Sequence, residues 1–380
     1  MTYKSVASGE ITPSETARKF HIDSLDGLRG FAALIVVLSH TSNSGMFFAP
    51  WLDLRGVGKS GVFLFFLLSS FLLTLPLLDK GKKIFTMPVM SHYWQRRFFR
   101  IYPLYTLYLL TGLITTWLIA TFLGKADAGL PLALDSAAFW RHMLLQEGKG
   151  VTWSIAVEFK FYFILPFLAT AIAYVRGYGP RIVLPAFAAS LLLSQLVFPQ
   201  SAALENDARL LPYMPVFLIG MLLAVVQSDA NLKKPYTRHL KRAYEYLGYI
   251  GIAGLLFMTP LIFSMFAGRV PNNYFHNQFI WSAVLWSFVL LSAINVRGVI
   301  QWFFKLPLLR FYGAISFSLY LFHPVFIGLI ERVGLNAYLS AWLVLAGSTL
   351  TAYISFKCLE KPASKLKITR SSLSSIFAYR

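Results

Sequence analysis

Two basic side chains on one apolar stretch are the first candidates for chemistry. Arg29 and His40 lie eleven positions apart, about three turns of a helix, so both fall on one face, roughly 16 Å apart along the axis. Phe31 to Leu38 between them are all apolar. An imidazole titrates near neutrality and can take a proton from a hydroxyl. A histidine in hydrocarbon is costly and marks a functional site by default; the competing reading is a packing histidine bonded to a neighbouring helix. Glu158 is a carboxylate in a similar setting, on a stripe with Ser154 and Tyr162 at i, i+4 and i+8. Lys160 points to nearly the opposite side of that helix, which disfavours a simple Glu158–Lys160 pair. Ser316, Tyr320 and His323 share a third face, and Pro324 removes one ladder donor there. His323 reads equally as a second acid or base and as a ring bonded to a backbone carbonyl. Arg96, Arg97 and Arg100 set three guanidinium groups within about one and a half turns, a cluster that can hold anionic lipid heads or ligand phosphates. Ordinary anchoring of a cytoplasmic loop is the alternative for them.

These side chains require helices that cross a bilayer. Of 380 residues, 57% are hydrophobic, 16% aromatic and only 13% charged, and the mean hydropathy is +0.60; soluble domains are about one-quarter charged. Apolar segments of spanning length fall near 26–46, 60–78, 101–123, 151–175, 182–198, 211–227, 244–266, 277–295, 311–331 and 338–358. The expected fold is therefore all-α, a polytopic bundle of about ten transmembrane helices. With both termini cytoplasmic, most of the 35 lysines and arginines lie in inner loops, and the opposite orientation would invert every loop. This topology accounts for the formal charge of +19, and no nucleic-acid motif accompanies it. Asp23, Ser24 and Asp26 are expected to supply the N-cap and first-turn anions of the first helix. The single cysteine, Cys358, excludes an intramolecular disulfide. No cleavable leader is expected in the polar N-terminus. The chain divides into a cytoplasmic segment at 1–22, one membrane domain at 23–362 and a short basic tail at 363–380. From helix rise, His40, Glu158 and His323 reach similar depths, nearer the outside; whether their faces converge is left open.

Leu25-Asp26-Gly27-Leu28-Arg29-Gly30, followed by His40, resembles the opening signature of the acyltransferase-3 family of integral-membrane acyltransferases. Three further stretches are similar to family elements: Arg96-Arg97-Phe98-Phe99-Arg100-Ile101-Tyr102-Pro103, Trp153 to Tyr162, and Ile315 to Pro324. Gly61 to Leu72 resembles the family's phenylalanine-rich helix, with Ser70 in place of a glycine. The resemblance implies transfer of an acyl group, commonly acetyl, from acyl-CoA to a hydroxyl of a cell-envelope glycan, lipid-linked sugar or similar acceptor. It makes His40 the base and gives Glu158 the role of orienting it or stabilising its protonated form. Arg29 with Arg96, Arg97 and Arg100 would hold the donor, and Trp153, Ser154, Tyr162 and Tyr320 would support the site. No metal is expected, nor a C-terminal esterase-like domain. The expected partners are acyl-CoA, the acceptor and membrane lipids, in the plasma (inner) membrane. The rival is a transporter or lipid flippase using His and Glu as a proton relay, against which stands the lack of inverted repeats or paired broken helices in the sequence.

Overall fold

The structure is a computed structural model describing residues 22–124, 132–203, 206–232, 237–268 and 278–366. The expected N-terminal segment and most of the basic tail lie outside the described residues. Every regular element among them is helical. The first half contains α1 (Asp23–Asn43), α2 (Gly58–Lys80), α3 (Met87–Leu123), the short α4 (Ser136–Met143), α5 (Thr152–Arg176) and α6 (Pro180–Val197). The second half contains α7 (Met214–Leu232), α8 (Arg238–Phe257), α9 (Pro260–Ala267), α10 (Phe279–Asn295), α11 (Val299–Phe304), α12 (Pro307–Ala314), α13 (Ser316–Glu331) and α14 (Ala337–Ser355).

Among the described residues six helices are long and apolar enough to cross a membrane, or up to eight if each of two bent pairs is one span. The expected count of about ten is higher because α1 carries many polar residues and α10 has only 17. Both fall on expected segments but are held inside the bundle, where neighbouring helices cover them. The bent pairs are α8–α9, at 73°, and α12–α13, at 80°. Broken helices are thus present, contrary to the sequence reading. At the α8–α9 break Pro260 begins the next helix without a backbone donor.

The apolar spacing decides which helices are central. The most apolar window of α2 is 72% buried, whereas that of α6 is 11% buried, so α2 packs inside and α6 turns its leucines outward. Phe66 and Phe161 stack on Phe217 with ring centroids 4.9 and 4.1 Å away, joining α2, α5 and α7.

Glycines set the closest approaches. A Cβ on Gly27 would lie 1.7 Å from the Phe304 carbonyl oxygen, and one on Gly30 would lie 1.9 Å from that of Leu309. Reciprocally, a Cβ on Gly313 would lie 2.0 Å from the Asp26 carbonyl oxygen. Backbone therefore meets backbone between α1 and the α11–α12 corner, an approach open only to residues without a side chain. Asp23 and Asp26 are the acids of the first turn of α1, as expected, but neither Asp23 nor Ser24 caps it; Asp23 reaches α12 and Ser24 reaches α10. Asp23 pairs with Arg310 at 2.8 Å, and Ser24 Oγ donates to the Ala293 carbonyl at 2.9 Å. The N-cap position is Ile22, without a side-chain cap.

Gly30→Ala is accordingly expected to force the two backbones apart, at a cost of about 1–3 kcal/mol or more. Thermal unfolding of the purified variant in one fixed detergent would check this; a midpoint equal to wild type would contradict the assigned contact. Ser70, where a glycine was anticipated, keeps its close approach by another route. Gly220 on α7 faces it, where a Cβ would lie 1.9 Å from Ser70 Oγ, and Ser70 Oγ donates back to the Leu67 carbonyl at 3.0 Å.

Candidate functional site

Arg29 on α1, Arg97 and Arg100 on α3, and Glu158 on α5 line one cavity of about 180 Å³. The i, i+3 spacing of Arg97 and Arg100 turns both to the same side of α3. Arg96 is exposed on the neighbouring strip of that helix, 3.5 Å from His92. Glu158 Oε1 accepts from Tyr162 Oη at 2.6 Å and also from Ser69 Oγ. Tyr162 is held from behind by Tyr93, whose hydroxyl donates to the Tyr162 carbonyl at 2.9 Å. The Arg97 guanidinium lies 5.9 Å from the centre of the Tyr162 ring. Cationic heads, one carboxylate and hydroxyl donors thus share a small enclosure with apolar walls, a setting suited to a multiply charged anion with an apolar arm.

His40 lines a second cavity, of about 320 Å³, with Lys59, Tyr108 and Trp153. Val62 and Tyr320 line both cavities. The Tyr320 hydroxyl is fixed, donating to the Val151 carbonyl at 3.0 Å with Ser154 Oγ 2.8 Å away. Trp153 is buried against Phe66 and Tyr213, with Lys59 Nζ 5.8 Å from its ring centre. The His40 ring contacts α13: its Nδ1 lies 2.8 Å from Nε2 of His323, and His323 Nδ1 lies 3.2 Å from the Leu319 carbonyl oxygen. Ser39, beside His40, accepts from the Gly58 amide at 2.9 Å. That bond brings the start of α2 close to the His40 ring, where a Cβ at Gly58 would lie 3.2 Å from Ser39 Oγ and 3.5 Å from His40 Cδ2.

The loop beside this cavity is pinned by a buried histidine outside the spans. His142 Nδ1 donates to the Ala138 carbonyl at 2.8 Å, and its Nε2 accepts from the Lys149 amide at 3.1 Å. Burial holds the His142 pKa below its usual value of 6.5. Between the folded and unfolded values the unfolded chain binds more protons, so His142 adds stability that is complete above pH 6.5 and is lost as pH falls below it. Midpoints of thermal unfolding should decline on that side, and a His142→Gln variant should lack this part of the decline.

Residues 22–358 match the acyltransferase-3 family, described as an acyltransferase domain. The chain belongs to this family. It is also similar to O-acetyltransferase OatA of Staphylococcus aureus, strains NCTC 8325 / PS 47 and COL. In each case identity is 24% over 369 residues, covering 91% of this chain and 57% of the relative. The chain therefore spans little more than half the length of these curated relatives. No solved structure gives a significant match.

The family stretches from α1, α3, α5 and α13 converge on the two cavities, but not in the combinations that spacing suggested. Glu158 directs its hydrogen bonds to Ser69 and Tyr162 on the arginine side, and the position beside His40 expected for it is occupied by His323. Equal depth along separate helices leaves rotation about each axis undetermined, and rotation made this difference. Arg96 stands apart from Arg29, Arg97 and Arg100 because adjacent residues of one helix point about 100° apart, which puts it on the next strip of α3. Ser69, Lys59 and Tyr108 were not selected as site residues. Ser69 offers a signal in the sequence, a hydroxyl inside a run of phenylalanine and leucine, whereas nothing in its spacing singles out Lys59. Among the described residues no group of three His, Cys, Asp or Glu is placed to hold a metal ion.

Proposed function

We propose that the protein is an integral-membrane O-acyltransferase that passes an acyl group, acetyl in the first instance, from cytoplasmic acyl-CoA to a hydroxyl of a cell-envelope glycan or lipid-linked sugar. The observation that carries this reading is the pair of cavities. Arg29, Arg97 and Arg100 line one, His40 lines the other, and Val62 and Tyr320 form wall in both. The arginines supply forked donors for the donor's phosphates. The thioester reaches past Val62 and Tyr320 toward His40.

His40 takes the acceptor's hydroxyl proton as the oxygen attacks the thioester carbonyl. The resulting tetrahedral oxyanion lies in the cavity that also contains the Lys59 ammonium. Its collapse breaks the carbon–sulfur bond, and the departing thiolate regains a proton from the His40 imidazolium. Glu158 keeps Ser69 and Tyr162 in place on the donor side. Arg29, Arg97 and Arg100 sharing one cavity supports a donor entrance on the side of the basic loops, which the charge bias of the sequence puts in the cytoplasm; about ten membrane segments, cytoplasmic termini and the plasma membrane complete the reading. The membrane domain is taken as 23–362, with cytoplasmic segments at 1–22 and 363–380.

Inverted membrane vesicles from cells making the protein, supplied with radiolabelled acetyl-CoA, should transfer label to envelope material and release coenzyme A. Vesicles lacking the protein should not. Proton-coupled flux of a solute without acyl transfer would replace this reading with that of a transporter, for which bent helix pairs are also suitable parts.

A further inference from the structure

We infer that His323 is a positioning residue that fixes the tautomer of His40, so that His40 Nε2 presents its lone pair to the acceptor hydroxyl. This rests on His40 being the base.

The hydrogen count follows from the contacts. A carbonyl oxygen only accepts, so the His323 nitrogen 3.2 Å from the Leu319 oxygen, Nδ1, carries a proton. A neutral imidazole has one N–H, which leaves His323 Nε2 an acceptor. The atom 2.8 Å from it, His40 Nδ1, is then the donor. The proton of neutral His40 is thereby placed on Nδ1, and Nε2 is unprotonated. Nδ1 stays a donor when His40 becomes an imidazolium, so the bond persists through the proton transfer and His323 changes neither its protons nor its partners.

The adjacent residue reinforces the arrangement. Pro324 has no N–H, so the Tyr320 carbonyl lacks its helical donor. The Leu319 carbonyl, one residue earlier, takes the proton of the His323 ring at 3.2 Å. His323 has no exposed surface, so water does not compete for its nitrogens. The His323-Pro324 pair thus directs one ring nitrogen to backbone and the other to His40. A histidine serving as a second acid or base would need a path to substrate, and both nitrogens of His323 are already engaged.

The experiment compares His323→Leu, which removes the acceptor, with His323→Gln, whose amide oxygen can accept from His40 Nδ1. Acetyl-CoA-dependent coenzyme A release is measured in inverted vesicles, and acetyl-CoA binding is measured separately on purified protein. His323→Leu should lower kcat about 100-fold or more, as a lost tautomer-fixing partner does in a related acid–base system. KM for acetyl-CoA and direct acetyl-CoA binding should stay within about twofold of wild type. His323→Gln should recover at least about tenfold of the lost rate. A second measurement needs no variant to be active: nitrogen-15 NMR of histidine-labelled wild type in nanodiscs. With 7 histidines in the chain, signals can be assigned by single replacements, and His40 should be protonated at Nδ1 alone.

Full activity of His323→Leu, equal loss in the leucine and glutamine variants with acetyl-CoA binding intact, or a His40 signal protonated at Nε2 would each overturn the inference. If both variants lose acetyl-CoA binding, the NMR result decides. Absence of acyl transfer by wild type would defeat the functional proposal itself, while the NMR result would still decide the tautomer.

Discussion

Replacing His40 with alanine is expected to lower acyl transfer by about 10²- to 10⁴-fold, the usual contribution of a positioned general base, while leaving acetyl-CoA binding close to wild type. The separation follows from where the side chains stand. His40 lines the cavity with Lys59, Tyr108 and Trp153, whereas the arginines assigned to the donor line the other. Alanine removes the ring but leaves the α1 contacts of Gly27, Gly30, Asp23 and Ser24 at the opposite end of the helix. Coenzyme A release in vesicles and equilibrium binding of acetyl-CoA to purified protein check the two halves. Turnover within a few-fold of wild type would remove His40 from the mechanism.

Arg29→Ala and Arg100→Ala are expected to show the converse, a weaker hold on acetyl-CoA. A charge-assisted hydrogen bond contributes about 1.5–3 kcal/mol, so each replacement should raise the dissociation constant roughly ten- to a hundredfold. The remaining affinity should fall with added salt, because exposed parts of the donor's phosphates are screened over about 10 Å at 0.1 M. Arg96→Ala is the matched control: the same charge is removed from the same helix, but from an exposed position outside the cavity. It should bind acetyl-CoA nearly as wild type does. Equal loss in all three variants would show that net positive charge at the surface, and not the cavity, attracts the donor. Unchanged binding in Arg29→Ala and Arg100→Ala would place the donor elsewhere.

The contrast between Arg96 and Arg97 shows how far residue spacing carries. Within one helix the spacing is a reliable guide to relative direction, since backbone geometry rotates each residue by a constant angle. Arg29 and His40 were legible as one face from their separation, and Ser154, Glu158 and Tyr162 as another. The hydropathy pattern likewise made the helical membrane class legible, because a backbone in hydrocarbon must satisfy its own hydrogen bonds. Six to eight of the expected spans stand out by length and apolarity among the described residues, whereas the polar α1 and the short α10 fall on expected segments but are sheltered by neighbours.

What a sequence by itself determined here is therefore internal to each helix: its apolar length, its polar faces and the titratable groups on them. How those faces meet was decided by tertiary packing. The glycines of α1 and α12 let two backbones touch, and the break between α12 and α13 bends by 80°. In the resulting bundle the His323 ring lies against His40, while Glu158 turns to Ser69 and Tyr162. Rotation and depth of one helix against another depend on contacts between residues hundreds of positions apart, such as His40 and His323. No periodicity within a single helix encodes that relation, because the pitch of a helix fixes directions only about its own axis.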